Sequence, residues 1–253
     1  MEKNQVLETI KLVREFSKKR NFNQAFDLII TLKNLNLKKQ EENVDLFLNL
    51  PHSRGKQLKI CALVDDNLEA KAKIFDHVVN ANTFKKYEDP KLAKKLASSY
   101  DLFIAQANLM GQIATAFGKI LGPKGKMPNP KSGAVVLPTA DMEALKIRFS
   151  KLVRLQTKKE PIIKTSIGSE AMKDEDISAN ILAAYNALVH ALPQEQGNIK
   201  EVMLKLTMSP RVKLGETKEQ VTHHLSTIKK YNKEKKQKKP KKSKVKEDGK
   251  LQS

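Results

Sequence analysis

Thirteen residues, Leu121–Gly133 (LGPKGKMPNPKSG), hold three prolines, three glycines and three lysines. Proline fixes φ and glycine permits turns that other residues resist. The loop therefore follows one irregular path and presents Lys124, Lys126 and Lys131 along it. Two readings stand. The lysines can meet phosphates, which require only exposure and charge, or they solvate a rigid connection that packs the neighbouring elements. Nucleotide chemistry does not fit. A phosphate loop would need glycine where Ile120 stands and Ser or Thr where Met127 stands, and no G-x-G-x-x-G occurs. The turn Asp65-Asp66-Asn67-Leu68 brings carboxylates where a phosphate needs amide donors.

The remaining reactive side chains form no centre either. His52, His77, His190, His223 and His224 show no catalytic or metal-ligand spacing, and His190 reads as structural near a helix C-terminus. Cys61 is the single cysteine, which excludes an intrachain disulfide or a cysteine-cluster zinc site. Its apolar neighbours make it a small core residue rather than a nucleophile. No spacing singles out an acid–base carboxylate pair. The expectation is no enzyme, no cofactor and no metal.

What the 253 residues do carry is charge: 48 Lys and Arg against 28 Asp and Glu, a net +20. Residues 229–253 hold twelve lysines against Glu234, Glu247 and Asp248, a net +9, which leaves +11 on residues 1–228. The excess belongs to the folded part as well as to the tail. No basic amphipathic helix with a large apolar face accompanies it, so nucleic acid is favoured over a membrane. No window nears 18 consecutive apolar residues, and MEKNQVLETIKLVREFSKKR lacks the apolar stretch of a secretory signal. A soluble protein of a reducing compartment that meets a polyanion is expected.

Periodicity predicts the elements that must position this charge. Val6, Ile10, Val13 and Phe16 recur at helical spacing over residues 2–19. Ala25–Lys33 reads as a strand, and Val44, Leu46, Leu48 and Leu50 alternate as in a half-buried one. After residue 57 the pattern changes. Leu58–Val64 is a nearly continuous apolar run, suited to a strand buried on both faces. Asp65-Asp66 can cap a helix reaching about Phe75. Val78-Val79 and Leu102–Ala105 read as strands, Pro90–Ser99 and Leu109–Ile120 as helices. This alternation predicts a parallel, doubly wound unit over residues 58–150, with a helix over Asp141–Ser150. Strands return at Leu152–Gln156, Ile162–Ile167 and Val202–Leu206, around a helix over 174–192 whose acidic first turn suits its dipole. The fold class expected is α/β: a discontinuous two-layer α+β domain from residues 1–57 and 151–214 with an inserted three-layer, Rossmann-like parallel domain from 58–150. A Lys-rich, largely disordered tail is expected over 215–253. Two crossings near residues 57 and 150 would form a hinge.

At the proline-rich loop the sequence resembles a known family. LGPKGKMPNP is similar to the signature of the ribosomal protein L-one family of the large-subunit stalk, in its archaeal form. RNF at Arg20–Phe22, LPHSRGK at Leu50–Lys56, TKKEPIIKTSIGSEAMKDEDI at Thr157–Ile177 and NIKEVMLKLTMSP at Asn198–Pro210 agree in the same order. The resemblance runs from about residue 2 to residue 214. It implies a split domain I carrying a Rossmann-like domain II that binds no nucleotide. It also implies a structural place in the large subunit of cytoplasmic ribosomes, binding to the stalk ribosomal RNA near the exit site, and help in releasing deacylated tRNA. Repression of translation through the protein's own mRNA is implied as well, with no membrane partner, no small-molecule substrate and a monomer away from the ribosome. An RNA-binding regulator acting mainly off the ribosome is the alternative, and an enzyme built on the α/β insert ranks behind both.

Carried over residue by residue, the resemblance implies RNA contact at Phe22 and at Thr207, Met208, Ser209 and Pro210, with Lys19 and Arg20 as adjacent charge. Asp27, Arg54 and Lys56 belong to the same set, and Lys124, Lys126 and Lys131 form a secondary basic loop. Phe22 would be an apolar platform, Thr207 a hydroxyl for ribose or phosphate, and Met208 a conformable contact. Four positions depart from the family. Ser209 and Ser53 replace glycine, Asp27 replaces Glu and Glu201 replaces Ser. The Cβ of Ser209 is expected to hinder close approach to RNA, and Glu201 to weaken a hydrogen-bond network.

Overall fold

The computed structural model describes residues 1–237 apart from 38, 40 and 41. Residues 1–214 make one compact unit, and the chain from Gly215 belongs to a second. The strands are β1 (Ala25–Leu32), β2 (Asp45–Asn49), β3 (Ile60–Val64), β4 (His77–Asn80), β5 (Leu102–Gln106), β6 (Val135–Val136), β7 (Leu152–Gln156), β8 (Ile162–Ser169), β9 (Ile199–Leu206) and β10 (Val212–Lys213). The helices are α1 (Lys3–Glu15), α2 (Asp66–Ala72), α3 (Pro90–Ser99), α4 (Met110–Leu121), α5 (Met142–Lys151), α6 (Asp174–Ala191) and α7 (Lys218–Gln237).

An antiparallel sheet runs in the order β10-β9-β1-β8. In β1, Phe26, Leu28, Ile30 and Leu32 are buried while Asp27, Ile29 and Thr31 are half-buried. That alternation arises because α1 and α6 cover one face only. Val6, Ile10 and Val13 of α1 and Ile177, Ile181 and Leu188 of α6 are fully buried. Arg14 ties this layer down, donating to Asp174 and to the carbonyls of Glu170 and Met172, each at 2.8 Å, with its guanidinium over the Phe26 ring.

The second sheet, β4-β3-β5-β6, is parallel throughout. Successive residues of β3 face opposite layers. Cys61 and Leu63 join Phe103, Ile113 and Phe117 on the side of α3 and α4; Ile60, Ala62 and Val64 join Leu68, Phe75 and Phe149 on the side of α2 and α5. Burial on both sides explains why Leu58–Val64 shows no polar alternation. Side chains of Asp65, Asp89 and Asp141 cap α2, α3 and α5. β2 and β7 pair as a separate antiparallel ribbon, prolonged by Leu50 N–H to Lys151 O at 3.0 Å. The chain enters the parallel sheet just after one arm of this ribbon and leaves it just before the other.

Three expectations are corrected. The first helix stops at Glu15 rather than residue 19: Phe16 N–H closes on Leu12 O (3.0 Å) and Ser17 N–H turns back to Arg14 O (3.2 Å), so Lys18, Lys19 and Arg20 leave the helix. The segment from 215 is not without structure, because α7 occupies Lys218–Gln237. Val221, Leu225 and Ile228 recur at helical spacing there, a signal masked by the lysine run that follows; residues 238–253 of the expected tail lie outside the described residues. Finally, the strand around Leu46 has no single buried face. Leu46, Phe47 and Leu48 are all half-buried, and Phe47 lies beneath the Arg154 guanidinium.

Candidate nucleic-acid interface

The chain leaving α1, the start of β1 and the end of β9 meet at one end of the antiparallel sheet. Thr207 N–H donates to Ala25 O and Ala25 N–H donates to Thr207 Oγ1, both at 3.1 Å, across 182 residues of sequence. Gln24, only 1% exposed, holds the corner together. Its amide donates to Ser17 Oγ (3.3 Å) and Lys18 O (3.4 Å), and its Oε1 accepts from Met208 N–H (3.2 Å). Its own carbonyl accepts from Glu170 N–H at 2.8 Å.

With the polar groups turned inward, the apolar ones point out. Phe22 is 52% exposed and Met208 59%. Full burial of either would gain about 1.5–3 kcal/mol, so the corner holds both outward against that gradient. Lys19 and Arg20 are exposed beside Phe22. Apolar faces next to exposed cations suit a partner with flat π surfaces and phosphates, as a nucleic acid has. Ser209 is drawn into the turn: Leu206 N–H donates to its Oγ (2.7 Å), and its hydroxyl donates to Pro210 O (3.0 Å). Its Cβ thus serves the turn, and no left-handed φ demands glycine there. Ser53 likewise has an ordinary φ, and its hydroxyl donates to Ser150 O at 3.4 Å.

The face of the sheet opposite the helices continues this corner. Asp27 stands in register with Lys205, whose Nζ donates to Thr207 O at 3.4 Å. Burial pushes the Asp27 carboxyl up while Lys205 opposes the shift. Asp27, Ile29, Lys164, Thr165, Ser166 and Lys205 line a shallow hollow of about 240 Å³. Glu201 forms an ion pair with Lys213 at 3.0 Å, whose hydrogen bond holds its carboxyl low.

Of the other expected residues, Arg54 and Lys126 line a cleft of about 400 Å³. Arg54 lines it with Nε buried and without a hydrogen bond, and burial pushes its guanidinium down against the attraction of Asp101. Lys56 pairs with Asp101 at 3.6 Å. Between them Gly55 (φ +72°) packs so closely that a Cβ would come within 2.8 Å of Ser169 Cβ. The loop lysines divide. Lys126 Nζ donates to the carbonyls of Ala97 (2.9 Å) and Tyr100 (2.6 Å) at the end of α3, and Lys124 reaches Ser98 Oγ (2.9 Å). Lys131 remains exposed. For Lys126 the geometry is that of a rigid connection. Among the described residues no group of His, Cys, Asp and Glu could hold a metal ion.

Two kinds of residue escaped the sequence reading. Gln24 has no pattern to betray it, since only the fold shows a buried amide among three chain segments. Lys205 and Lys164 were accessible, because the alternation that turns Leu204 and Leu206 inward puts their neighbours on the open face.

The profile of the ribosomal protein L1p/L10e family matches residues 13–210. The large ribosomal subunit protein uL1 of Pyrococcus abyssi is 36% identical over 216 residues, 84% of this chain and 96% of that one. Its counterpart from Nanoarchaeum equitans is 39% identical over 213 residues, 82% and 98% of the two chains, and that from Methanocaldococcus jannaschii 36% over 224, 86% and 98%. The matched span contains β1 through β9 and both halves of the Phe22–Thr207 corner, and on this footing the chain belongs to the ribosomal protein L1 family.

Proposed function

We propose that this chain binds large-subunit ribosomal RNA through the corner formed by Lys19, Arg20, Phe22, Thr207 and Met208, extended by Asp27 and Lys205. As a member of its family it is a ribosomal protein of the large subunit, structural rather than enzymatic. The observation that carries the reading is the pair of outward apolar side chains, Phe22 and Met208, beside exposed cations, with Met208 held through its backbone N–H by the buried Gln24 amide. The bases would stack on Phe22, Met208 would conform to them, and Asp27 would accept from a 2′-hydroxyl or an exocyclic amine. Placement on the mobile stalk near the exit site, release of deacylated tRNA and repression through the protein's own mRNA are further parts of the proposal, supported by family membership. So is a division into residues 1–57 with 151–214 and 58–150, hinged where the β2–β7 ribbon ends.

Binding of a large-subunit stalk RNA fragment and of a scrambled RNA of equal length tests this. Thr207→Ala should weaken the cognate complex by about 1–2 kcal/mol, the scale of a lost hydrogen bond with a stranded partner, and Phe22→Ala by at least as much. Lys124→Ala should cost far less. Equal binding of both RNAs by the wild type, or a Lys124→Ala effect exceeding that of Thr207→Ala, would overturn the assignment. Co-sedimentation with large subunits after a high-salt wash distinguishes a ribosomal residence from regulation of mRNA elsewhere.

A further inference from the structure

No residue of the proposed RNA corner lines the cleft of about 400 Å³. Phe47 and Arg154 come to it from the β2–β7 ribbon, Arg54 from the chain that leaves the ribbon, and Asp101, Met127 and Phe149 from the part of the chain that builds the parallel sheet. Its wall is apolar over Phe47, Leu58, Leu102, Met127, Phe149 and Leu152, with a few charged groups set into it. A recess of this volume, mostly apolar and carrying a small number of polar groups, suits a ring-sized organic molecule.

Three cations and one carboxylate line the cleft, and all but one are engaged by the protein. Lys126 donates to the carbonyls of Ala97 and Tyr100. Arg154 gives Nε and one terminal nitrogen to Asp45, at 2.7 and 2.8 Å. Asp101 pairs with Lys56 at 3.6 Å and accepts from Lys59 N–H at 3.4 Å. Arg54 is the exception. Its Nε is buried without a hydrogen-bond partner, a condition that Ser178 Oγ alone shares among the described residues. Asp101 acts on Arg54 through charge and not through a hydrogen bond. An unpaired buried donor on a charged group costs free energy. A guanidinium is also shaped to hold a carboxylate or phosphate through two parallel hydrogen bonds.

We propose that this cleft binds a small organic oxyanion with a flat apolar body, the oxyanion held by Arg54 and the body packed on the wall that includes Phe47 and Phe149. A phosphate and a carboxylate share this chemistry, and either supplies the acceptor that the fold withholds from Arg54. The ring gains by leaving water and by contact with the phenylalanines. A neutral ring leaves Arg54 unpaired, and a bare anion leaves the wall uncovered. The two halves together define the ligand, and binding does not depend on the recognition corner.

The test titrates the full chain by calorimetry with naphthyl phosphate and naphthoate, with the neutral naphthalenemethanol, and with inorganic phosphate. One or both aromatic anions should bind at a single site per chain, at least about 10-fold tighter than the alcohol or inorganic phosphate, the scale of a hydrogen bond to a charged group. The tighter of the two anions tells a phosphate site from a carboxylate site. Arg54→Met should weaken the bound anion by about 10–100-fold and leave the alcohol unchanged. Its Tm should not fall, because the variant keeps the length of the side chain and discards a buried charge without a hydrogen-bond partner. Arg54→Lys, which keeps the charge and loses the fork, should also bind the anion more weakly than wild type, and it carries the test if the Met variant does not fold. Lys91→Met removes the same charge from an exposed position on α3 outside the cleft and should bind as wild type. Absence of single-site binding by either anion overturns the proposal. So do equal losses in the Arg54 and Lys91 variants, which would reveal attraction by net charge alone, and a lower Tm with anion affinity retained, which would make Arg54 structural.

Discussion

Replacing Gln24 by Met keeps the volume of the side chain and deletes its polarity, so it isolates what the buried amide does. Three side-chain hydrogen bonds of 3.2–3.4 Å disappear. Each is worth about 0.5–1.5 kcal/mol net, and a stranded buried partner costs more. Ser17 is half-buried and Met208 exposed, so water can reach their freed groups and the loss falls toward the lower end. About 2 kcal/mol is expected, equivalent to a fall in Tm of about 4–8 °C for a domain of this size. Urea titration followed by far-UV circular dichroism suits a chain with no Trp, and the midpoint should fall at constant m. The same variant should discriminate less between stalk and scrambled RNA, because the 207–209 turn is no longer tethered to the end of α1. A stability change below about 0.5 kcal/mol with discrimination intact would refute the role given to Gln24.

Asp45→Asn should flatten the acid limb of the stability curve. The Arg154 hydrogen bond holds the Asp45 carboxyl below its ordinary 3.8, so its contribution is present above that pH and lost as pH falls through the lower folded value; with both partners about a third exposed, up to about 1 kcal/mol at neutral pH is expected. Asp27→Asn should do the reverse. Its folded carboxyl lies above 3.8, so the aspartate's contribution is full below 3.8 and lost as pH rises, and the Asn variant should gain up to about 1 kcal/mol at pH 7 in urea titrations while RNA affinity falls. Lys126→Met should cost about 1 kcal/mol of stability through the uncapped end of α3, with RNA affinity unchanged in the same binding assay.

Where one face of an element is buried, periodicity located it: Pro90–Ser99 and Leu152–Gln156 have the bounds expected, and β3 showed its double burial as an unbroken apolar run. Failures came where long-range contacts override local pattern. Phe16 lies at helical spacing, yet Gln24 pulls Ser17 and Lys18 out of the helix. β10 has two residues and exists because β9 offers it an edge. The loop Leu121–Gly133 stood out in composition, but whether its lysines met phosphate or protein depended on α3, whose terminal carbonyls engage Lys126. Phe22 illustrates the opposite limit. By residue type it belongs in a core, and only its family resemblance pointed outward; the structure exposes it.

The place of β1 in the sheet sets a clock for the growing chain. This strand is central, yet its neighbours β8 and β9 begin at residues 162 and 199. At about 5–20 residues per second, the roughly 130 residues between β1 and β8 take about 7–26 s to synthesise. For that interval the segment FDLIITL has no partner for either edge, and α1 has no complete sheet to cover. The parallel sheet, from 60 to 136, meets no such delay and can close long before. An unfinished chain can therefore hold a paired parallel sheet while the Phe22–Thr207 corner is still unformed. Thr207 is among the last residues made of the compact unit that ends at Leu214, so only a nearly completed protein can display the surface proposed for RNA.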